Sequence, residues 1–180
     1  MQLALIMDGN RRWAQKQGLI KMLWHTKWAD RIEPTIRLCL REWISHVSFW
    51  ALAKKNIEER TPEELNHIYK LILDQCGTMI PKLQAEGIKF DYLGDKWLLP
   101  DNVIDALESM KEATKTWEKL TFIIVIGYGW QHEVVCGVKN LLRTEIKNLT
   151  PENLENFLEK LNEESFREYL DCAPFPNPDL

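Results

Sequence analysis

Leu3-Ala4-Leu5-Ile6-Met7-Asp8-Gly9-Asn10-Arg11-Arg12-Trp13-Ala14 starts as an unbroken apolar run and turns abruptly into an acid, a glycine, an amide and two arginines. The apolar run has the length of a buried strand, and residues 11–18 read as helix, so positions 8–10 mark a strand-to-helix junction. Open parallel sheets bind ligands at such junctions, outside the carboxyl ends of their strands. The start of a helix offers unpaired N–H groups and a partial positive charge, which suit a phosphate or diphosphate, and Arg11 and Arg12 would add charge-assisted hydrogen bonds. A carboxylate repels such an anion unless a divalent cation stands between them, and Mg²⁺ is the usual bridge. Asp8 is therefore a candidate Mg²⁺ ligand. Taken alone, Asp-Gly-Asn is also common turn and helix-cap chemistry.

Working outward, the same kind of short apolar run recurs at 44–52, 88–93 and 120–126, rich in β-branched and aromatic residues and bounded by polar residues or glycine. Longer amphipathic stretches fill the gaps at 11–18, 26–42, 62–86, 101–116, 131–147 and 151–160. Thr61-Pro62 and Thr150-Pro151 mark two helix starts, with a capping residue followed by proline in the first turn. The alternation predicts an α/β fold with a central, mostly parallel sheet flanked by helices. Residues 1–180 read as one domain, since no repeat, linker or charge block divides them. The stretch Ala173 to Leu180, with prolines at 174, 176 and 178, reads as a loop leading toward a strand that does not follow.

The 180 residues are 45% hydrophobic and 28% charged with net charge −4, as in an ordinary globular domain. That balance gives no general attraction to polyanions, so a nucleic-acid role is not expected and any phosphorylated ligand needs a local cluster of cations. The apolar runs fall well short of the roughly 20 residues that span a bilayer, and the N-terminus lacks the pattern of a secretory signal. Cys39, Cys76, Cys136 and Cys172 show no metal-binding spacing, and four free thiols fit a cytosolic protein. His46, His67 and His132 carry no zinc pattern, and neither dinucleotide nor P-loop glycine motifs follow a strand.

The order Asp8-Gly9-Asn10, Arg12-Trp13-Ala14, Gln17-Gly18-Leu19, the His25 region, Phe49-Trp50-Ala51-Leu52 with Asn56, Gly94-Asp95 and Tyr128-Gly129 resembles the cis-prenyltransferase family along essentially the whole chain. The resemblance implies an undecaprenyl diphosphate synthase-like fold with a hydrophobic tunnel, and condensation of isopentenyl diphosphate with an allylic diphosphate of the farnesyl class. It implies that Asp8 coordinates Mg²⁺ and is essential. Gly9, Asn10, Arg11, Arg12 and Trp13, with Lys21, His25 and Arg60, would hold the substrates. The family assigns Asn56 to proton removal, but a neutral amide is a poor base, so Asn56 more readily orients the substrate or a phosphate oxygen. The resemblance also implies a homodimeric, cytoplasmic enzyme whose product passes to the membrane. A non-catalytic partner subunit is the alternative.

The chain also departs from that family. Its Gly-His-x-x-Gly is Trp24-His25-Thr26-Lys27-Trp28 here, and its Tyr-Gly-Gly-Arg is Tyr128-Gly129-Trp130-Gln131. Without any family in mind, Glu86-Gly87-Ile88 and Glu42-Trp43-Ile44 are matching helix-to-strand junctions, and only the first has glycine at its left-handed position. Trp97 and Trp117 also fall in turns. Eight glycines stand beside eight tryptophans, and a UGA codon read as tryptophan where glycine is meant would account for six of them. Ala53 replaces a family Ser or Thr, Lys55 replaces a Glu, and the family's C-terminal Arg-Thr-Gly-Gly-Glu segment does not appear. A chain that truly lacked its last strands should bind weakly and turn over little.

Overall fold

The computed structural model describes residues 1–7, 12, 13, 16, 18 and 23–180, with the side chains of 23–29 outside that description. The elements are β1 (Gln2–Ile6), α1 (Leu23–Arg41), β2 (His46–Ala53), α2 (Lys54–Glu59), α3 (Pro62–Glu86), β3 (Ile88–Leu93), a 3-10 turn (Lys96–Leu98), α4 (Asp101–Thr114), β4 (Leu120–Tyr128), α5 (Trp130–Glu145), α6 (Pro151–Lys160) and α7 (Glu163–Arg167). They form two compact units, Met1–Gly127 with Asn177–Leu180, and Tyr128–Pro176.

In the first unit the sheet order is β1-β2-β4-β3. β1 runs parallel to β2 with Leu3 opposite Val47 and Leu5 opposite Phe49, and β3 runs parallel to β4 with Phe90 opposite Phe122. This is the parallel sheet that the alternation of short apolar runs and helices predicts. Alternate residues of each strand, among them Leu5, Val47, Phe49, Ile88, Phe90, Phe122 and Ile124, enter one hydrophobic core with Ile36, Leu83, Leu107 and Met110 from α1, α3 and α4. Phe122 meets Phe49 and Phe90 edge-on, with ring centroids 5.7 and 5.4 Å apart. The outer edge of β1 is lined by the last residues of the chain. Asp179 N–H donates to the Gln2 carbonyl at 2.9 Å, and Ala4 N–H donates to the Leu180 carbonyl at 2.8 Å.

Helix boundaries follow local chemistry. α3 starts at Thr61, whose hydroxyl accepts from Glu64 N–H at 3.3 Å, and stops at Gly87 in the left-handed conformation. Two long helices carry a proline within them, Pro34 in α1 and Pro81 in α3. Having no N–H, Pro81 cannot bond the Gly77 carbonyl one turn back.

The second unit closes α5 onto the segment after α7. Asn140 Nδ2 donates to the Tyr169 carbonyl at 3.1 Å, and the Tyr169 hydroxyl donates to Glu145 at 2.9 Å. The Arg167 guanidinium donates to the carbonyls of Cys172, Ala173 and Phe175.

Several expectations need adjustment. α1 begins at Leu23 rather than at 26, and β4 runs on through Tyr128 rather than ending at 126. The helices α2 and α7 were not expected, and both are short elements in polar sequence that carry no apolar periodicity. The expected helix at 11–18 falls largely outside the described residues.

Phe49 is fully buried, so its removal would leave a void beneath the sheet. Phe49→Ala is expected to destabilise the chain by about 3–5 kcal/mol, read as a lower urea midpoint with unchanged slope.

Candidate functional site

The carboxyl ends of the strands carry the chemistry-bearing residues. β1 ends at Ile6, opposite Trp50, and Met7 follows it into the core. β2 passes without a loop into α2. After β3 the chain turns at Gly94-Asp95, where the Asp95 side chain accepts from Trp97 N–H at 3.1 Å and caps the 3-10 turn. Gly127 near the end of β4 has φ of +69°, and a Cβ there would lie 3.0 Å from the Asp95 carbonyl oxygen. A side chain at position 127 would thus be strained by the positive φ and crowded by the backbone leaving β3.

Of the expected site residues, Asp8, Gly9, Asn10, Arg11 and Lys21 lie outside the described residues. His25 lies in the first turn of α1, with its side chain outside the description. Arg12 and Trp13 are helical and exposed. The fold brings Asn56 and Arg60 together on α2, where Arg60 N–H bonds the Asn56 carbonyl at 3.1 Å. Arg60 also pairs with Glu64 at 3.5 Å in a largely shielded position. Asn56 Oδ1 accepts from Ala53 N–H at 3.2 Å. This is one half of a capping box, and Ala53 has no hydroxyl to supply the other half. The backbone bond fixes the direction of the Asn56 amide and leaves its two N–H donors for a ligand such as a phosphate oxygen. A neutral amide is in any case a poor base. Lys55 points away to an exposed pair with Glu59 at 3.5 Å, which contributes little to stability.

An apolar cavity of about 60 Å³ lies on the core side of the sheet. Ala51, Phe90, Phe122 and Ile124 form its floor, and α3 supplies Ile68, Ile72, Cys76 and Met79 along one wall. Burial pushes the Cys76 thiol up to about 11. Ala51 stands two residues before the carboxyl end of β2, so the cavity starts just beneath the edge that carries Asn56.

Comparison with known proteins settles the family. A prenyltransferase family model, described as undecaprenyl diphosphate synthase, matches residues 6–180. The chain belongs to this family of prenyltransferases. It is 31% identical over 180 residues to an isoprenyl transferase of Deinococcus radiodurans, covering 99% of this chain and 65% of that protein. It is 29% identical to a farnesyl-diphosphate-specific ditrans,polycis-undecaprenyl-diphosphate synthase of Legionella pneumophila, covering 99% of this chain and 72% of the relative. The chain therefore spans about two thirds to three quarters of the length of these curated relatives. The fold is shared with lavandulyl diphosphate synthase from Lavandula x intermedia, solved with dimethylallyl diphosphate. That match has a TM-score of 0.86 at 21% identity and covers 97% of this chain and 72% of that one.

Within this prenyltransferase fold, Asp8 follows Met7 at the end of β1. Among the described residues no group of three or more His, Cys, Asp or Glu could hold a metal ion. A single carboxylate suits Mg²⁺, which is commonly held by one or two protein ligands together with substrate phosphates and water. Asp8 fits that pattern, and the metal would reach it together with the diphosphate.

One polar centre escaped the sequence reading. Glu133, in the first turn of α5, is only 6% exposed. Its carboxylate accepts from the Tyr128 hydroxyl and, at 2.9 Å, from Cys172 N–H. Burial first, and then the Glu133 carboxylate, raise the Tyr128 phenol above its ordinary range and push the Cys172 thiol up to about 11. The position of Glu133 three residues after Tyr128-Gly129-Trp130 marks a first-turn acid, but nothing in the sequence shows that Cys172 returns to it.

Asn56→Asp separates the two functions of this side chain, because it keeps the acceptor for Ala53 N–H while it removes the donors and adds an anion. The expected result in calorimetry is an unchanged thermal midpoint with pyrophosphate affinity reduced about tenfold or more. Undiminished affinity would mean that the donor end of Asn56 does not meet phosphate.

Proposed function

We propose that this chain catalyses the condensation of isopentenyl diphosphate with an allylic diphosphate of the farnesyl class, giving a cis-polyprenyl diphosphate. The observation that carries this reading is the apolar cavity beneath the carboxyl edge of the sheet, in a chain whose sequence continues from β1 as Met7-Asp8-Gly9-Asn10-Arg11-Arg12. An amphiphile with an anionic head and a branched hydrocarbon tail matches both parts.

In the reaction the isopentenyl double bond attacks C1 of the allylic chain, the C–O bond to diphosphate breaks, and a proton leaves the isopentenyl C2. Arg11, Arg12 and Lys21 would neutralise the departing diphosphate, with the backbone from Gly9 and the His25 and Trp13 side chains completing the cradle. Mg²⁺ bound at Asp8 would supply further charge neutralisation. Asn56, as a donor, would hold a phosphate oxygen in place to receive the proton, and Arg60 beside it would bind the second diphosphate.

The cavity at about 60 Å³ is smaller than the roughly 300 Å³ of an ordinary ligand pocket. A prenyl tail would therefore enter by parting α3 from the sheet, a movement that the hydrogen bond missing between Pro81 and the Gly77 carbonyl would assist. Titration calorimetry with farnesyl diphosphate should show binding that strengthens with Mg²⁺, and Asp8→Ala should abolish the Mg²⁺ dependence. The bound tail should also raise the thermal midpoint, which pyrophosphate alone should do far less. Binding without Mg²⁺ dependence, or a thermal shift no larger than that with pyrophosphate, would argue against the reading.

The enzyme is proposed to work in the cytosol and to release its product to a membrane. No helix among the described residues is long and apolar enough to cross one. Pairing of two copies is supported by Val134, Val138, Leu142 and Ile146, which follow one another every fourth residue along α5 and its C-cap and are 44–61% exposed. Leu142→Glu should then shift sedimentation velocity toward the monomer. An unchanged sedimentation coefficient would exclude this face from the dimer.

A further inference from the structure

Trp43 is the one non-glycine residue with positive φ among the described residues, at +57°. It closes α1 with Ile44 N–H bonded to the Cys39 carbonyl at 3.0 Å and its own N–H directed to the Leu40 carbonyl at 3.4 Å. This is the left-handed helix stop that glycine makes without strain and other residues do not. The chain builds the same stop at the end of α3, with Gly87 at φ +74° and its N–H on the Gln84 carbonyl at 3.2 Å. Two helix-to-strand junctions of one design thus carry glycine in one case and tryptophan in the other.

The strain at Trp43 has no compensation, because the side chain is 91% exposed. Tryptophan normally hides most of its large apolar surface. Trp97 follows Asp95 into the 3-10 turn and is 84% exposed; Trp130 opens α5 directly after Gly129 and is 67% exposed. Trp117 sits in the turn before β4, its N–H on the Thr114 carbonyl at 3.2 Å. All four occupy turns or element ends, where glycine is at home and a large exposed aromatic is a liability. Trp24 and Trp28 join them on motif position alone.

One cause covers all six. UGA is read as tryptophan in some codes and as glycine in others, whereas UGG is always tryptophan. With eight glycines and eight tryptophans in the chain, exchanging six leaves 14 and 2, close to the usual glycine share of about 7%. We infer that in its own cell this protein carries glycine, inserted at UGA codons, at positions 24, 28, 43, 97, 117 and 130, and that Trp13 and Trp50 are its genuine tryptophans. Trp13 belongs to the Arg-Trp-Ala motif, and Trp50 lies within β2 and is partly buried. Where this bears on diphosphate binding it rests on the proposed function, since glycine at 24, in the first turn of α1, would open unbonded backbone N–H groups to an anion. The decoding itself rests on the backbone at 43 and on exposure at 43, 97 and 130, with 117 placed by its turn and 24 and 28 by their motif.

Peptide mass spectrometry of the protein isolated from its source cells tests the inference. Each of the six peptides is expected to be lighter by the difference between tryptophan and glycine, and tryptophan at position 43 in that material would overturn the inference. In the chain as written, Trp43→Gly is expected to raise the thermal midpoint by about 2–4 °C, as relief of a single strained residue does in a chain of this size. Trp43→Ala, still strained at positive φ, should not. A gain from alanine equal to that from glycine would remove the backbone argument. Glycine found at 43 in a protein that binds no farnesyl diphosphate would uphold the decoding and sink the prenyl-transfer reading, so the two fail separately.

Discussion

The contact of Phe122 with Phe49 on one side and Phe90 on the other ties the central strand to both its neighbours, and α3 can pack only on a floor that these rings make continuous. β4 lies between β2 and β3, so a slip of one residue in its register would turn Phe122 and Ile124 to the opposite face and expose the underside of α3 and α4. The same register sets where each strand ends. The positions of Asn56, Gly94 and Gly127 at the carboxyl edge therefore follow from core packing, and the chemistry of that edge depends on the rings buried beneath it.

Much of this was legible in the sequence. β3 at Ile88–Leu93, α3 at Pro62–Glu86 and α6 at Pro151–Lys160 fall where the sequence reading puts them, because each is bounded by residues with a strong local effect: Thr61-Pro62, Gly87 and Thr150-Pro151. β4 ran two residues further than expected. Gly127 reads as the end of a strand, but here a left-handed glycine is absorbed within the strand because Asp95 packs against it. The short α2 could not be read, since Lys54–Glu59 has no apolar period and owes its first turn to an amide reaching back to Ala53.

The candidate site residues were read by type and by family motif rather than by geometry. Asp8, the two arginines and Asn56 stand out because an acid, cations and an amide follow apolar strands in the order of that motif. The direction of the Asn56 amide was not readable, because local hydrogen bonding decides it. Glu133 was missed for a related reason, because its importance comes from Cys172, 39 residues later in the chain, and no local pattern records that return. Trp43 is the opposite case, a residue whose misfit was readable from two parallel junctions before its backbone angle was known.

The proline inside α3 gives the cavity walls of unequal stiffness. The sheet below is cross-linked strand to strand, whereas the helix above has lost one rung at Pro81 beside Gly77, close to Cys76 and Met79 of the lining. A hydrocarbon occupant gains about 0.8 kcal/mol for each buried methylene, and that gain works against a bending helix rather than a rigid shell. The limiting length of such an occupant is then a mechanical balance, reached where the next increment of burial no longer exceeds the elastic cost of lifting α3. Under this balance a stiffer residue at position 77 would act as a shorter ruler without touching the sheet.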